Sequence, residues 1–292
     1  MEEKRFAVLI DADNVSAKYI KYIFDEIANY GVATYKRIYG DWTKPNVAAW
    51  KDVLLENSVT PVQQYSYTIG KNATDSAMII DAMDILYSGY VEGYCIVSSD
   101  SDFTKLSSRL RESGMLVVGM GERKTPKPFI SACNHFKYLD VLANTEVTSI
   151  EENIPAKDSS KNNILLTDKQ TSSNANGDAE KSMTDIEVIK MAIIKLLNEV
   201  DSEDQKMNLG EIGNRLAKRY PDFDVRNYGD TKLSKFLKKF DFLDIMPDEK
   251  GGTAMWVSMK QEKSKIQHQG NIRTVKKRKY KKKSNLNKNI GN

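Results

Sequence analysis

The residues best suited to chemistry in this chain are aspartates that follow apolar runs. Ser98-Ser99-Asp100-Ser101-Asp102-Phe103 comes directly after Gly93-Tyr94-Cys95-Ile96-Val97, which reads as a short buried strand. It leads into Phe103 to Leu110, whose apolar spacing is helical, with Ser101 or Asp102 as N-cap. The run Phe6 to Ile10 enters Asp11-Ala12-Asp13-Asn14 in the same way. Asp75 falls in the first turn of the helix that follows Gly70-Lys71-Asn72-Ala73-Thr74. It lies four residues before Ile79, on the face turned to the sheet. In an open parallel α/β sheet the carboxyl ends of the strands share one rim, and ligands bind there. Asp11, Asp75, Asp100 and Asp102 are therefore expected on one rim, with Asp13 and Asn14 adding oxygen ligands and Asp41 ending a second strand.

Carboxylates packed together repel one another and resist full ionisation. A hard divalent cation, Mg²⁺ or Mn²⁺, removes that conflict because it takes carboxylate and water oxygens. One or two such ions could activate water and stabilise a pentavalent phosphate during phosphodiester hydrolysis. Lys71 could meet a substrate phosphate as a point charge. Histidine-driven chemistry has little support, since the 2 histidines, His135 and His268, fall away from this rim. Each acid also has a plainer use. Asp102 and Asp11 can serve as helix caps, Asp41 as a turn residue, and Asp81 and Asp84 as solvated groups on the polar side of their helix. Coincidence weakens as an explanation because three separate loops deliver acid to the same edge.

The elements that must position these groups alternate strand and helix. Strands are expected over Arg5–Ile10, Ala33–Tyr39, Val59–Tyr65, Tyr94–Val97, Met115–Met120 and near Phe136–Leu139. Helices are expected over Val15–Tyr30, Pro45–Glu56, Thr74–Tyr87, Phe103–Arg111 and Pro126–Cys133. Pro61 marks its strand as an edge. This rhythm predicts a mostly parallel sheet sandwiched by helices. Residues 144–182 are rich in Ser, Asn, Asp, Thr and Lys without an apolar period and read as a flexible linker. Helices over Asp185–Asn198, Leu209–Tyr220 and Asp230–Phe240, then two short strands around Gly251-Gly252, have the pattern of a winged helix-turn-helix.

Composition fits a chain of 292 residues with a large and a small domain. The hydrophobic fraction is 40% and no apolar run approaches the ~20 residues that span a bilayer, so no membrane partner is expected. The N-terminus lacks a signal-peptide pattern, and the 2 cysteines, Cys95 and Cys133, have no metal-ligand spacing. Both features point to reduced thiols and a cytoplasmic protein. The net charge of +4 hides a split. From Lys260 onward there are twelve Lys or Arg against one Glu, about +11, so the remainder carries about −7. A mildly acidic body with a basic tail suits a polyanionic partner.

Four spaced motifs also carry a resemblance. Leu9-Ile10-Asp11-Ala12-Asp13-Asn14, Lys36-Arg37-Ile38-Tyr39-Gly40-Asp41-Trp42, Lys71-Asn72-Ala73-Thr74-Asp75 and Ser98-Ser99-Asp100-Ser101-Asp102-Phe103 resemble the NYN domain, and within it the bacterial LabA-like branch related to PIN-domain ribonucleases. The resemblance covers about residues 5–142. It implies a PIN-like sheet and metal-dependent RNA cleavage, with Asp11, Asp75, Asp100 and Asp102 as acidic ligands and Asn14 and Ser98 supporting. Leu209-Gly210-Glu211-Ile212-Gly213, Tyr220-Pro221-Asp222-Phe223-Asp224 and Tyr228-Gly229-Asp230-Thr231-Lys232-Leu233 with Ser234-Lys235-Phe236-Leu237 resemble the OST-HTH/LOTUS domain. That likeness implies a winged helix that binds RNA or a protein partner, or that self-associates. The expected organisation is an NYN domain over 1–143, a linker over 144–182, a LOTUS domain over 183–259 and a basic tail over 260–292.

In the third helix of the LOTUS-like unit, Lys232, Lys235 and Lys239 share a face that can meet phosphates or remain solvated. The tail, with Arg273, Lys276, Lys277, Arg278, Lys279 and further lysines, would add salt-sensitive affinity for nucleic acid or act as a solubilising segment. Three functions remain in view. The leading one is a metal-dependent endoribonuclease to which the LOTUS unit and tail deliver RNA, with DNA not excluded. The second is an RNA-binding regulator with little or no nuclease activity. The third is a phosphatase of the haloacid dehalogenase type, whose opening motif Asp11-Ala12-Asp13 imitates. No cap insertion is evident, and the other three motifs fit the NYN pattern better.

Overall fold

The computed structural model describes residues 3–65, 72–151, 183–200, 206–248 and 253–260. Its first strand, β1 (Arg5–Asp11), is buried from Phe6 onward. Phe6, Val8 and Ile10 join one apolar cluster while Ala7 and Leu9 join another, so successive side chains face opposite sides of a sheet covered on both. The remaining strands are β2 (Val32–Gly40), β3 (Thr60–Gln63), β4 (Gly93–Val97), β5 (Leu116–Gly121) and β6 (His135–Tyr138). They form one sheet in the order β3-β2-β1-β4-β5-β6, and every pair is parallel. β3 is an edge strand, as Pro61 requires. The order reverses direction between β1 and β4, which places a crevice beyond their carboxyl ends.

Helices close both faces. α1 (Ile20–Ile27), α2 (Lys51–Leu54) and α6 (Leu139–Glu151) pack on one side, through Ile23, Leu54 and Leu142 among others. α3 (Ala73–Ser88), α4 (Thr104–Glu112) and α5 (Lys127–Ala132) pack on the other, through Met78, Leu110 and Phe129. The helix expected over Val15–Tyr30 starts as a 3₁₀ turn at Ala17–Tyr19 before α1 begins. β6 runs straight into α6, which continues to Glu151, past the expected start of the linker at 144. Its segment contains neither Gly nor Pro, and buried Val141 and Leu142 anchor its first turn. Of the expected linker, residues 152–182 lie outside the described residues.

The C-terminal part contains α7 (Ile186–Asn198), β7 (Met207–Asn208), α8 (Leu209–Arg219), α9 (Leu233–Leu237), β8 (Leu243–Pro247) and β9 (Met255–Met259). Asp185 and Asn208 cap α7 and α8 by accepting from Glu187 N and Gly210 N. The three strands are antiparallel in the order β7-β9-β8. Ile189, Ile193, Ile212, Leu216, Phe236 and Val257 form the core. This is a winged helix-turn-helix. α9 is shorter than the expected Asp230–Phe240. Gly229 adopts φ +80°, and the chain is still extended at Lys232, so the helix starts only at Leu233.

The two parts belong to one compact unit spanning residues 1–260, and the contact between them includes a polar network. Phe136 N on β6 donates to Pro221 O at 2.7 Å. Tyr138 Oη donates to Asp222 at 3.2 Å. Lys137 pairs with Asp224 at 2.6 Å and Glu26 at 3.4 Å, and Arg226 reaches Glu26 at 3.0 Å and Asp224 at 2.7 Å. Burial alone would lower the Lys137 ammonium, but Asp224, Tyr30 and Glu26 hold it above its ordinary value. Burial alone would raise Asp224, but Arg226 and Lys137 hold its carboxyl well below the usual range. The free edge of β6, which would otherwise expose unpaired backbone groups, is thus met by the winged helix. Among the described residues, no helix is long and apolar enough to cross a membrane.

Candidate active site

The site grows from the ends of β1 and β4. Asp11, the last residue of β1, has no exposed surface. One of its carboxylate oxygens accepts from Asp13 N at 3.1 Å; the other accepts from Asn14 Nδ2 at 2.7 Å and from Ser98 Oγ at 2.8 Å. Burial pushes the Asp11 carboxyl up, and these hydrogen bonds pull it back, leaving it raised. Ser98, also fully buried, accepts from Asp100 N at 3.1 Å, so one hydroxyl ties the end of β1 to the turn after β4. Asp100 is the N-cap of the 3₁₀ turn Ser101–Phe103 and accepts from Asp102 N at 2.9 Å. The cap is therefore Asp100, where the sequence pointed to Ser101 or Asp102.

Asp75, in the first turn of α3, meets this turn. Carboxylate oxygens of Asp75, Asp100 and Asp102 all lie within 4.8 Å of one another. Asp75 is pushed up to about 6, first by burial and then by the negative charges of Asp11, Asp100, Asp102 and Asp13. Asp11 is not part of the close group of three, yet among the neighbouring charges it acts most strongly on Asp75. The donor set consists of hard oxygens at mutual distances one cation can bridge, under a repulsion that a cation would relieve. These residues fit a hard divalent metal ion.

Two supporting contacts carried no signal in the sequence. Asn72 Nδ2 donates to Asp102, and Thr74 Oγ1 donates to Asp13 at 3.1 Å. Both lie on the loop and first turn that carry Asp75, so they pin that turn to the other two acid-bearing loops. Gly121, at the end of β5, is a further such residue. A Cβ there would sit 2.6 Å from Ser98 O and 2.6 Å from Thr125 Oγ1, so only glycine lets β5 approach the Ser98 turn.

The other sequence candidates separate clearly. Asp41 is a turn residue, as expected, accepting from Thr43 Oγ1 at 2.6 Å and Gln63 Nε2 at 3.0 Å. Asp84 is exposed. Asp81 is not solvated as expected: it pairs with Arg37 and Tyr39 Oη and joins α3 to β2. His135 lies at the amino end of β6, opposite the rim, against Tyr30. Lys232 and Lys235 are exposed on α9 and its cap. Lys239 instead pairs with Asp230 at 2.6 Å and donates to Tyr228 O. Lys71, His268, Arg273, Lys276, Lys277, Arg278 and Lys279 lie outside the described residues.

Comparison with known proteins agrees with this architecture. The NYN domain model matches residues 5–140, and the OST-HTH/LOTUS domain model matches residues 184–254. The chain carries an NYN domain followed by a LOTUS domain. The six-stranded parallel sheet flanked by helices is the PIN-like fold of the first. No curated protein matches the sequence. Among solved structures, a protein of unknown function from Vibrio parahaemolyticus is 18% identical, covering 47% of this chain and 93% of its own, with a TM-score of 0.40. At that score the likeness supports no argument. The acidic cluster lies in the NYN domain, and Lys232 and Lys235 lie in the LOTUS domain.

Proposed function

We propose that the protein is a metal-dependent endoribonuclease whose reaction occurs on the NYN rim and whose LOTUS domain helps hold RNA. NYN domains are typically nucleases and LOTUS domains bind RNA, which supports the pairing. The single observation that carries the reading is the convergence of Asp75, Asp100 and Asp102 at the β1/β4 switch point, with Asp75 raised to about 6.

In this reading Asp75, Asp100 and Asp102 would hold Mg²⁺ or Mn²⁺. The bound ion would supply neutralisation of the phosphate charge and a nucleophilic water at neutral pH. The chain itself supplies position. Asp11, fixed by Asn14 and Ser98, sets the negative field behind the cluster. Ser98 joins β1 to the Asp100 turn, Asn72 orients Asp102, and Thr74 orients Asp13. Asp75, raised to about 6, would give up its proton on binding a cation near that pH. Lys71, Lys232, Lys235 and the tail residues Lys276, Lys277, Arg278 and Lys279 are proposed to draw phosphates toward an otherwise acidic body. A cytoplasmic location belongs to the same proposal, since Cys95 and Cys133 are free and buried.

The test uses the purified full chain with end-labelled single-stranded and structured RNA. Internal cleavage with Mn²⁺ or Mg²⁺ that stops with EDTA is the expected result. RNA binding without cleavage under every divalent condition would overturn the nuclease reading and leave an RNA-binding regulator.

A further inference from the structure

The junction between the two domains holds a cavity that the acidic cluster does not explain. Its volume is about 370 Å³, and its walls include Arg123, Asn144, Thr145, Thr231 and Lys235. Arg123 and the α6 residues come from the NYN domain; Thr231 and Lys235 come from the LOTUS domain. We infer that this cavity is part of a groove for a single RNA strand, whose phosphates meet Arg123 and Lys235 before the strand reaches the acidic rim. The inference rests on the nuclease reading for the direction of the strand.

Position supports the path. Arg123 follows the end of β5, which pairs with β4 along the sheet. Glu122 N donates to Ser99 Oγ at 2.9 Å, and Ser98 N donates to Met120 O at 3.0 Å. The backbone next to Arg123 is therefore bonded to the turn that carries Asp100. Neighbouring strands lie about 5 Å apart, so the groove and the acids are within reach of a few nucleotides. On the far wall Lys235 is held by α9, and the Lys137–Glu26–Asp224–Arg226 network fixes that wall against β6. A groove between tethered but undocked domains would have no constant width; this one is braced.

Charge supports an anionic occupant. Arg226 also lines the cavity but is engaged by Glu26 and Asp224, and Asp230 in the wall is engaged by Lys239. Arg123 reaches Asp140 at 3.2 Å while its side chain stays 56% exposed. Lys235 is exposed. Apart from Val141 and Gly229, the remaining lining residues carry amides or hydroxyls that can hydrogen-bond a sugar-phosphate strand. The chain's own basic tail would be repelled by Arg123 and Lys235. The volume suits a nucleotide-sized group and is far too small for a duplex.

The experiment measures binding of a fluorescent single-stranded RNA to the full chain in EDTA, where no metal-dependent cleavage occurs. Arg123→Gln, Lys235→Glu and the cavity-filling Thr231→Trp are each expected to weaken binding about threefold or more, with the folded state retained in each by circular dichroism. Lys51→Glu, an exposed lysine on α2, is expected to change it less than about twofold. Unlabelled duplex of the same length should compete at least about tenfold less well than single strand. Wild-type affinity in the three groove variants, equal loss in Lys51→Glu, or equal competition by duplex would overturn the inference. The nuclease reading fails separately: a wild-type chain that binds through the groove but never cleaves RNA loses that reading and keeps the groove.

Discussion

Asp75 carries the tension of the acidic rim. Its carboxyl is raised from 3.8 to about 6 by burial and by four neighbouring acids. A group raised in the folded state gives stability that is complete below its unfolded value and lost as pH rises through its folded value. In the metal-free protein the contribution of Asp75 should therefore be lost between about pH 4 and pH 6. Asp75→Asn removes that loss, so it should melt higher than wild type above pH 6, with the gap closing toward pH 4. Because Asp75 is only partly buried and its charge is screened by solvent, the gain is on the order of 1 kcal/mol, or roughly 2–4 °C. Thermal melts in EDTA across this range check it; a lower melting temperature for the variant at pH 7 would contradict the account. Added Mn²⁺ should favour wild type over Asp75→Asn, and progressively less as pH falls below 6. At this scale the sequence was readable where an acid follows an apolar run, as at Asp11 and Asp100. Asn72, Thr74 and Gly121 were not, because an amide, a hydroxyl and a missing Cβ acquire meaning only when loops meet. Asp81 was misread for the same reason: its helix places it on the polar side, but Arg37 and Tyr39 from β2 reach it there.

At the scale of elements, the site depends on how closely β5 and β4 end. Ser98 N donates to Met120 O, and Gly121 then passes against the Ser98 turn. Gly121→Ala puts a methyl 2.6 Å from a backbone oxygen and should cost about 1–3 kcal/mol, because the turn carrying Asp100 must shift. It should also weaken Mn²⁺ binding, measured by calorimetry. Gly89, which ends α3 at φ +70°, has nothing within 4 Å of an added Cβ, so Gly89→Ala should cost stability without touching Mn²⁺ affinity. Equal Mn²⁺ affinity in both variants would contradict the role given to Gly121. The strands were legible because a parallel sheet covered on both faces writes continuous apolar runs. The end of α6 was not, since the sequence there carries no Gly or Pro to mark a stop. Nor was the late start of α9, which follows from the left-handed conformation at Gly229.

At the scale of the whole molecule, the two domains are joined by charge as well as by chain. Lys137, Glu26, Asp224 and Arg226 are largely buried, and removing one partner of a buried pair costs about 3–5 kcal/mol by stranding the others. Arg226→Ala should therefore split thermal unfolding into two transitions and enlarge the protein in small-angle scattering, with Asp75, Asp100 and Asp102 untouched; a single unchanged transition would contradict a braced interface. Nothing in the sequence announced this network, because Glu26 and Arg226 are two hundred positions apart. The account as a whole rests on the acidic rim, and the most direct test compares RNA cleavage by wild type, Asp100→Asn and Asp84→Asn with Mn²⁺. Asp84 is an exposed acid on α3 outside the close group of three. The account predicts that Asp100→Asn loses at least about a hundredfold in rate while still binding RNA, and that Asp84→Asn cleaves like wild type. Cleavage by Asp100→Asn at the wild-type rate would contradict it.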